Sequence, residues 1–342
     1  MRIEDIAREA GVSTATVSRV LNSPERVKPD TRERVMAVVR RHEYVPDSLA
    51  RGLMTKRSKT IGVLIISISN AYYMEITETI QRRLRDSGFM MLLGATDDSA
   101  ELEKRYILDF ASRRVDGIIV IDASHENFAS GFFARQAAKM SLVLVHSDET
   151  IKGSGLREVF LDQRLGMRRA MDHLWSLGHR EVAFLRGKNG FSYDLKEAAW
   201  AEWLREHGVE PQPGLVLSVD DGNSEDAVPL ADEVVGRAIK DGIVRGAIFC
   251  CNDLQARGAV SAATKAGLRI PEDLSIVSHD DTILAVSGRV QLTSVDLEMR
   301  RVGNAAAELL LSALAGEDEG ALSLTIEPEL VIRGSTAEAT RG

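Results

Sequence analysis

Five residues of one short stretch share the outer side of a helix: Thr14, Ala15, Ser18, Arg19 and Asn22. They offer hydroxyls, a methyl group, a carboxamide and one guanidinium fork, and no long apolar side chain blocks that side. Such a face fits the floor of a DNA groove, where polar base edges and phosphates await short donors and acceptors. A surface helical hairpin of an ordinary globular protein has the same outline, so these residues alone leave both readings open. No competing chemistry is spelled out elsewhere. The two cysteines, Cys250 and Cys251, are adjacent, a spacing that suits neither a disulfide nor a zinc site. The seven histidines are scattered without a metal-binding motif, so no metal is expected. There is no phosphate-cradling glycine loop and no nucleophile with a base at motif spacing. No catalytic residue and no cofactor are expected, and the chain does not read as an enzyme.

Two elements must position the polar face. Ile3, Ile6, Ala7 and Ala10 repeat at helical spacing and predict a first short helix, broken by Gly11. Ser13 stands where an N-cap belongs, ahead of a second helix whose Val17, Val20 and Leu21 form the buried stripe. Two short helices around a glycine turn predict a helix-turn-helix. Asp30–Tyr44 predicts a third helix, with Val35, Val38 and Val39 inside and arginines along a solvated face. Pro46 can open another helix, yet Asp47–Met54 is too short to be helical alone in water, and Gly52 weakens it by roughly 1 kcal/mol. With the basic run 55–59 after it, this segment is expected to order only against DNA.

Charge supports the division. The 342 residues carry a net −8, but residues 1–59 hold 13 Lys and Arg against 8 Asp and Glu, a net +5, leaving −13 on the remainder. A basic head on an acidic body suits a DNA reader whose body phosphates repel. No apolar run of membrane-spanning length occurs, and Glu4 and Asp5 make the opening helix unlike a signal peptide. A reducing cytoplasm is expected.

From Thr60 onward apolar strand-length runs alternate with amphipathic helices: Ile61–Ile68, then Tyr72–Ser87, Phe89–Leu93, Ser99–Ser112, Gly117–Ile121, Glu126–Ala138 and Leu142–Val145. The alternation resumes at Val159 and runs to a strand at Leu274–His279. Buried strands with intervening helices predict doubly wound parallel sheets. The strands are too many for one sheet and cluster on either side of about residue 160. The predicted fold is therefore α/β: a small all-α head, 1–45, a hinge helix and linker, 46–59, and a body, 60–338, of two subdomains. A ligand cleft is expected outside the strands' carboxyl ends, where two such lobes face one another. Leu297–Leu314 predicts a helix that crosses between lobes or lines a subunit contact.

The order of motifs extends the reading. VSTATVSRVLN, a Tyr-x-Pro segment, ARGL and SKTIGVLI are followed by RRVDGIIV, LGHREVAFL, AIFCCNDLQARGA, GLRIPEDLSIVSHDD and LTSVDLEMRRVGNAAAELL. This set resembles the lactose/galactose/purine repressor family over essentially the whole chain, with a body similar to periplasmic sugar-binding proteins. The resemblance implies a homodimeric transcriptional regulator, a repressor, that binds a near-palindromic double-stranded operator and answers to a small molecule between its lobes. It implies DNA contacts from Ser13, Thr14, Ala15, Thr16, Ser18, Arg19 and Asn22. Arg19 can grip guanine O6 and N7, Ala15 can touch a thymine methyl, and Ser13, Ser18 and Asn22 suit phosphates. Ala50 and Leu53 match hinge positions, Leu53 being the wedge that opens a minor-groove step.

In the body the resemblance implies effector contacts from Tyr72, Tyr73, Asn252 and Asp280, the last able to accept two hydroxyl hydrogen bonds. Three matching positions depart from the usual residues: Lys196 stands for an arginine, Asp221 for an aromatic and His146 for an aspartate. Lysine is a point charge and does not reproduce arginine's fork. The expected effector is a sugar or sugar derivative. The alternatives are a nucleobase or a sugar acid acting as corepressor, the acid being tolerated by Lys196 and His146. A solute-binding protein shares the body but has no use for residues 2–59.

Overall fold

The computed structural model describes residues 2–44, 57–317 and 322–339. Two compact units result, Met1–Ser58 and Lys59–Gly342.

In the first unit α1 spans Ile3–Ala10, α2 Thr14–Asn22 and α3 Pro29–Arg41. The Arg2 backbone N–H donates to Asp5 Oδ2 at 3.0 Å, which closes the start of α1. Gly11 ends it at φ +65°, a left-handed conformation that favours glycine. Ser13 Oγ accepts the Thr16 N–H at 3.1 Å and caps α2, as its position predicts. Pro29 opens α3, where its missing N–H costs nothing. Ile6, Ala7, Ala10, Val17, Val20, Val35 and Val38 form the buried centre. Glu9 binds Arg41 and His42, each at 2.8 Å, and so fastens α1 to the end of α3. Of the hinge reading, Ala50 and Leu53 lie outside the described residues.

The second unit begins with β1, Thr60–Ile65, α4, Ala71–Asp86, β2, Met90–Ala95, α5, Ala100–Ser112, and β3, Gly117–Ile121. Next come α6, His125–Ala129, α7, Phe132–Ala137, β4, Ser141–His146, and β5, Arg157–Leu161. The chain continues through α8, Gln163–Ser176, β6, Ala183–Gly187, α9, Phe191–Glu206, β7, Val216–Val219, and α10, Ala227–Lys240. Then follow β8, Gly246–Cys250, α11, Asp253–Lys265, β9, Leu274–Asp280, α12, Ile283–Val286, and β10, Thr293–Asp296. The last elements are α13, Met299–Ala315, β11, Ser323–Ile326, and β12, Glu329–Val331.

The strands form two six-stranded sheets, ordered β11-β5-β4-β3-β1-β2 and β12-β10-β9-β8-β6-β7. All pairings are parallel except β10 with β12. The doubly wound reading therefore holds, with a division at Asp162. One helix differs from its prediction. The periodicity over Glu126–Ala138 continues, but Gly131 at φ +71° breaks it into α6 and α7. Four late elements, α12, β10, β11 and β12, escape the apolar pattern because they are short and partly polar.

The chain passes between the two lobes three times, at Asp162, at Leu297–Glu298 and at Glu327–Pro328. The last two passages bring α13 and β11 back to the first lobe. There α13 packs on α4 and on β3, β4 and β5. Gly303 permits this approach, since a Cβ there would lie 2.8 Å from the Ile76 carbonyl oxygen. Strand order reverses between β1 and β3 in one sheet and between β6 and β8 in the other. Loops diverge at such switch points and leave a crevice beyond the strand ends.

Candidate functional site

The head presents one polar face. Ser13, Thr14, Ala15 and Arg19 are exposed, while Val17 and Val20 on the opposite side of α2 are buried. Thr16 and Ser18 are half-buried. Thr16 is engaged with the cap, its hydroxyl 2.9 Å from Ser13 Oγ. The Arg19 guanidinium has no carboxylate partner among the described residues, whereas Arg8 pairs with Asp5 and Arg41 with Glu9. An unengaged fork beside short hydroxyls is free to meet an external acceptor. The side chain of Asn22 lies outside the described residues.

In the body the two switch points enclose a polar chamber lined by Tyr72 and Tyr73 of α4, Asp122 after β3, Gln163 of α8, Tyr193 and Lys196 of α9, Asn252 after β8, and Asp280 of β9. Each acid follows a strand end, the place doubly wound sheets reserve for ligand groups. Tyr73 Oη donates to Asp122 Oδ2 at 2.9 Å. Lys196 Nζ donates to the Cys251 carbonyl at 3.1 Å. Asn252 caps α11 through its Oδ1 and donates from Nδ2 to the Gly222 carbonyl at 2.7 Å. The lobes touch directly. Asn70 Nδ2 of the first donates at 3.4 Å to Asn223 Oδ1 of the second, which also accepts the Tyr193 hydroxyl at 3.0 Å.

Burial raises the carboxyls of Asp122 and Asp280, that of Asp280 far above the usual range. Lys196 opposes both shifts, while Asp253, Asp122 and Glu75 reinforce the second. Burial likewise holds Tyr72, Tyr73 and Tyr193 as neutral phenols. Asp280 adopts φ +108°, a region that strains a residue with a Cβ. The Tyr72 hydroxyl and Gln163 Oε1 are buried without a hydrogen-bond partner. Acceptors on Asp122, Asp280 and Gln163 thus face donors on Lys196 and Tyr72 across a confined space. That arrangement hydrogen-bonds a compact polar molecule. Among the described residues no group of His, Cys, Asp and Glu side chains has the arrangement to hold a metal ion.

Five of the seven residues singled out in the sequence, Tyr72, Tyr73, Lys196, Asn252 and Asp280, converge on this chamber. The other two do not. His146 lines an adjoining outer chamber, and its Nε2 is committed to Glu158 at 3.1 Å, both side chains being fully buried. Burial lowers this imidazole's pKa, which keeps it neutral and removes it as an anion partner. Asp221 is exposed at the cleft mouth. Its Oδ1 accepts the N–H groups of Asn223 and Ser224 and shapes a turn. Lys196, with even odds of being a rim side chain, is instead buried. Asp122, Gln163, Tyr193 and Asn223 are lining residues that no motif marked. Asp122 was findable, because it ends the apolar run Gly117–Ile121.

Residues 2–47 match the family described as bacterial regulatory proteins, lacI family, and residues 171–336 match a periplasmic binding protein-like domain. The transcriptional regulator DegA of Bacillus subtilis is 30% identical across 98% of both chains. The transcriptional repressor PurR of Haemophilus influenzae is 29% identical across 97% of this chain and 98% of its own. Among solved structures, the lac repressor dimer bound to operator and the anti-inducer ONPF is 27% identical. It superposes with a TM-score of 0.84, covering 98% of this chain and 99% of the other. By head, body and whole-length likeness, the chain belongs to the lacI family of bacterial regulatory proteins and is a DNA-binding transcriptional regulator, not an enzyme.

Proposed function

We propose that the protein is a cytoplasmic repressor that binds a near-palindromic operator as a homodimer and answers to a sugar or sugar derivative between its lobes. The inner chamber carries this reading. Its buried, unpartnered Tyr72 hydroxyl and Gln163 Oε1, beside the carboxylates of Asp122 and Asp280, suit a ligand that both donates and accepts hydrogen bonds at many points. In this reading Tyr72, Tyr73, Lys196, Asn252 and Asp280 touch the effector. Lys196 is bound to a carbonyl and flanked by two carboxyls, so a sugar acid gains little from it. Dimerisation is supported by the edge strand β2. It exposes Met90, Leu92 and Leu93 to solvent, beside an unpaired backbone edge that favours association.

On the operator, Thr14, Ala15 and Arg19 meet base edges, while Ser13, Ser18 and Asn22 meet phosphates. Ala50 and Leu53 engage the minor groove. The effector acts only through its different affinity for the two arrangements of the lobes. A nucleobase corepressor is the second reading, favoured by the whole-length similarity to a purine-named repressor.

Selection of operator fragments from genomic DNA, with and without panels of sugars, sugar acids and nucleobases, tests both readings. Sequence-selected DNA whose retention changes with a neutral sugar is expected. Failure to select any sequence under every condition refutes the repressor reading, and a response to a nucleobase alone replaces the sugar.

A further inference from the structure

The cleft has a second compartment outside the polar chamber. It shares Asp122, Ser192 and Asn223 as a common wall, so the two spaces are continuous. The inner chamber encloses about 270 Å³ between its atoms and the outer about 460 Å³. The inner space alone falls short of the roughly 300–1,000 Å³ of ligand clefts, and the two together lie within that range.

Phe191 lines the outer space. It is 41% exposed, and it is the one aromatic among the large apolar side chains exposed in the described residues. Its position is fixed from both lobes. It is the first residue of α9, directly after Gly190. Its ring stacks on the His125 ring of α6, with centroids 5.6 Å apart and planes within 1° of parallel. His125 is itself held, since its Nδ1 donates to Asp148 Oδ2, while Asp148 Oδ1 accepts the N–H and hydroxyl of Thr150 at 2.8 and 2.7 Å. A phenyl ring braced on one face and open on the other, at the end of a polar chamber, is a preorganised platform for an apolar ring face. Asp221, at the position expected to supply such an aromatic, is turned to its own loop.

We propose that Phe191, buttressed by His125, is the specificity-determining platform for a second ring of the effector. The protein then answers to a two-ring compound, with a hydroxylated ring in the inner chamber and an apolar ring face on Phe191. This rests on the reading of the inner chamber as a sugar site. Both a disaccharide, through its C–H face, and an aryl glycoside supply the outer ring.

The test is calorimetric titration of the full-length protein with matched methyl glycosides, phenyl glycosides and disaccharides of the same monosaccharides. At least one two-ring compound is expected to bind about tenfold more tightly than its methyl glycoside, the gain of one good aromatic contact. A gain confined to phenyl glycosides identifies an aryl group, and one confined to disaccharides a sugar. Phe191→Ala is expected to abolish the gain while leaving methyl glycoside binding intact, and Phe191→Tyr to restore it. Equal affinity of one-ring and two-ring ligands for the wild type overturns the platform, as does an equal loss of both in Phe191→Ala. Binding by no member of the panel overturns the sugar reading of the inner chamber and the platform with it.

Discussion

Asp253 offers the most direct measurement of how the effector-facing end of the second sheet is held. It is wholly buried at the start of α11, one residue after Asn252. Its Oδ1 accepts the hydroxyls of Ser278 and Ser294 at 2.6 and 3.1 Å, and its Oδ2 accepts the Thr282 N–H and hydroxyl at 2.7 and 2.9 Å. One carboxylate therefore clamps β9, β10 and the Asp280–Asp281 turn. Burial lifts its pKa from 3.8 to about 6, against the pull of those hydrogen bonds. A group raised in the folded state contributes most stability below its unfolded pKa and loses that contribution as pH rises through the folded value. Keeping Asp253 charged at pH 7 thus costs about 3 kcal/mol. Asp253→Ala removes that cost but orphans a buried N–H and three hydroxyls, and a net loss of about 2–4 kcal/mol is expected at pH 7.

Asp253→Asn keeps an acceptor for Thr282, while its amide can donate to Ser278 and Ser294 once their hydroxyls rotate. Its stability is expected within about 1 kcal/mol of wild type at pH 7. Urea unfolding of wild type and Asp253→Asn at pH 7 and pH 5 completes the test. Differences between the two proteins cancel the titration of every other group. Lowering the pH is expected to favour wild type over Asp253→Asn by about 1–1.5 kcal/mol. A pH-independent difference would show that Asp253 has no raised pKa. An Asp253→Asn as unstable as Asp253→Ala would show that the clamp requires the negative charge.

Three further outcomes are expected. Arg19→Ala should cost about 1–3 kcal/mol at one base pair of each half-site and relax specificity there, as read by binding to an operator library; uniform loss on every sequence would make Arg19 a phosphate contact. Asp280→Ala should abolish the effector's influence while leaving operator affinity intact, as read by gel shift with and without ligand; an unchanged response would place the effector elsewhere. Gly258→Ala should destabilise the body by about 1–3 kcal/mol in urea unfolding, because the added Cβ would lie 2.5 Å from both the Val228 carbonyl and the Ala231 methyl; a neutral effect would mean that α10 and α11 part freely.

The head is readable from sequence because its determinants lie within a few residues of one another. Periodicity, the Gly11 stop and the Ser13 cap act inside one or two turns, and each forms as the residues imply. The buried parallel strands are readable for a similar reason. Both their faces are covered, so they are written as runs of branched apolar residues such as Gly117–Ile121. The same logic misses β10, β11 and β12, whose stability comes from neighbours distant in the chain. Thr293–Asp296 has no apolar run to mark it, yet it is a central strand between β9 and β12.

What the sequence alone determined is the order of elements, the charge division between head and body, and the acids that follow strand ends. What only the tertiary structure decided is which of those groups meet. The switch points are set by strand order, a long-range property that brings Asp122, Lys196 and Asp280 together across about 160 residues of chain. Packing also reassigned individual side chains. It turned His146 inward to Glu158, buried Lys196 between carboxyls, and left Phe191 braced but open. Residue type states what a group can do, whereas burial and partners, supplied by residues far away in the chain, select which of those capacities remains free.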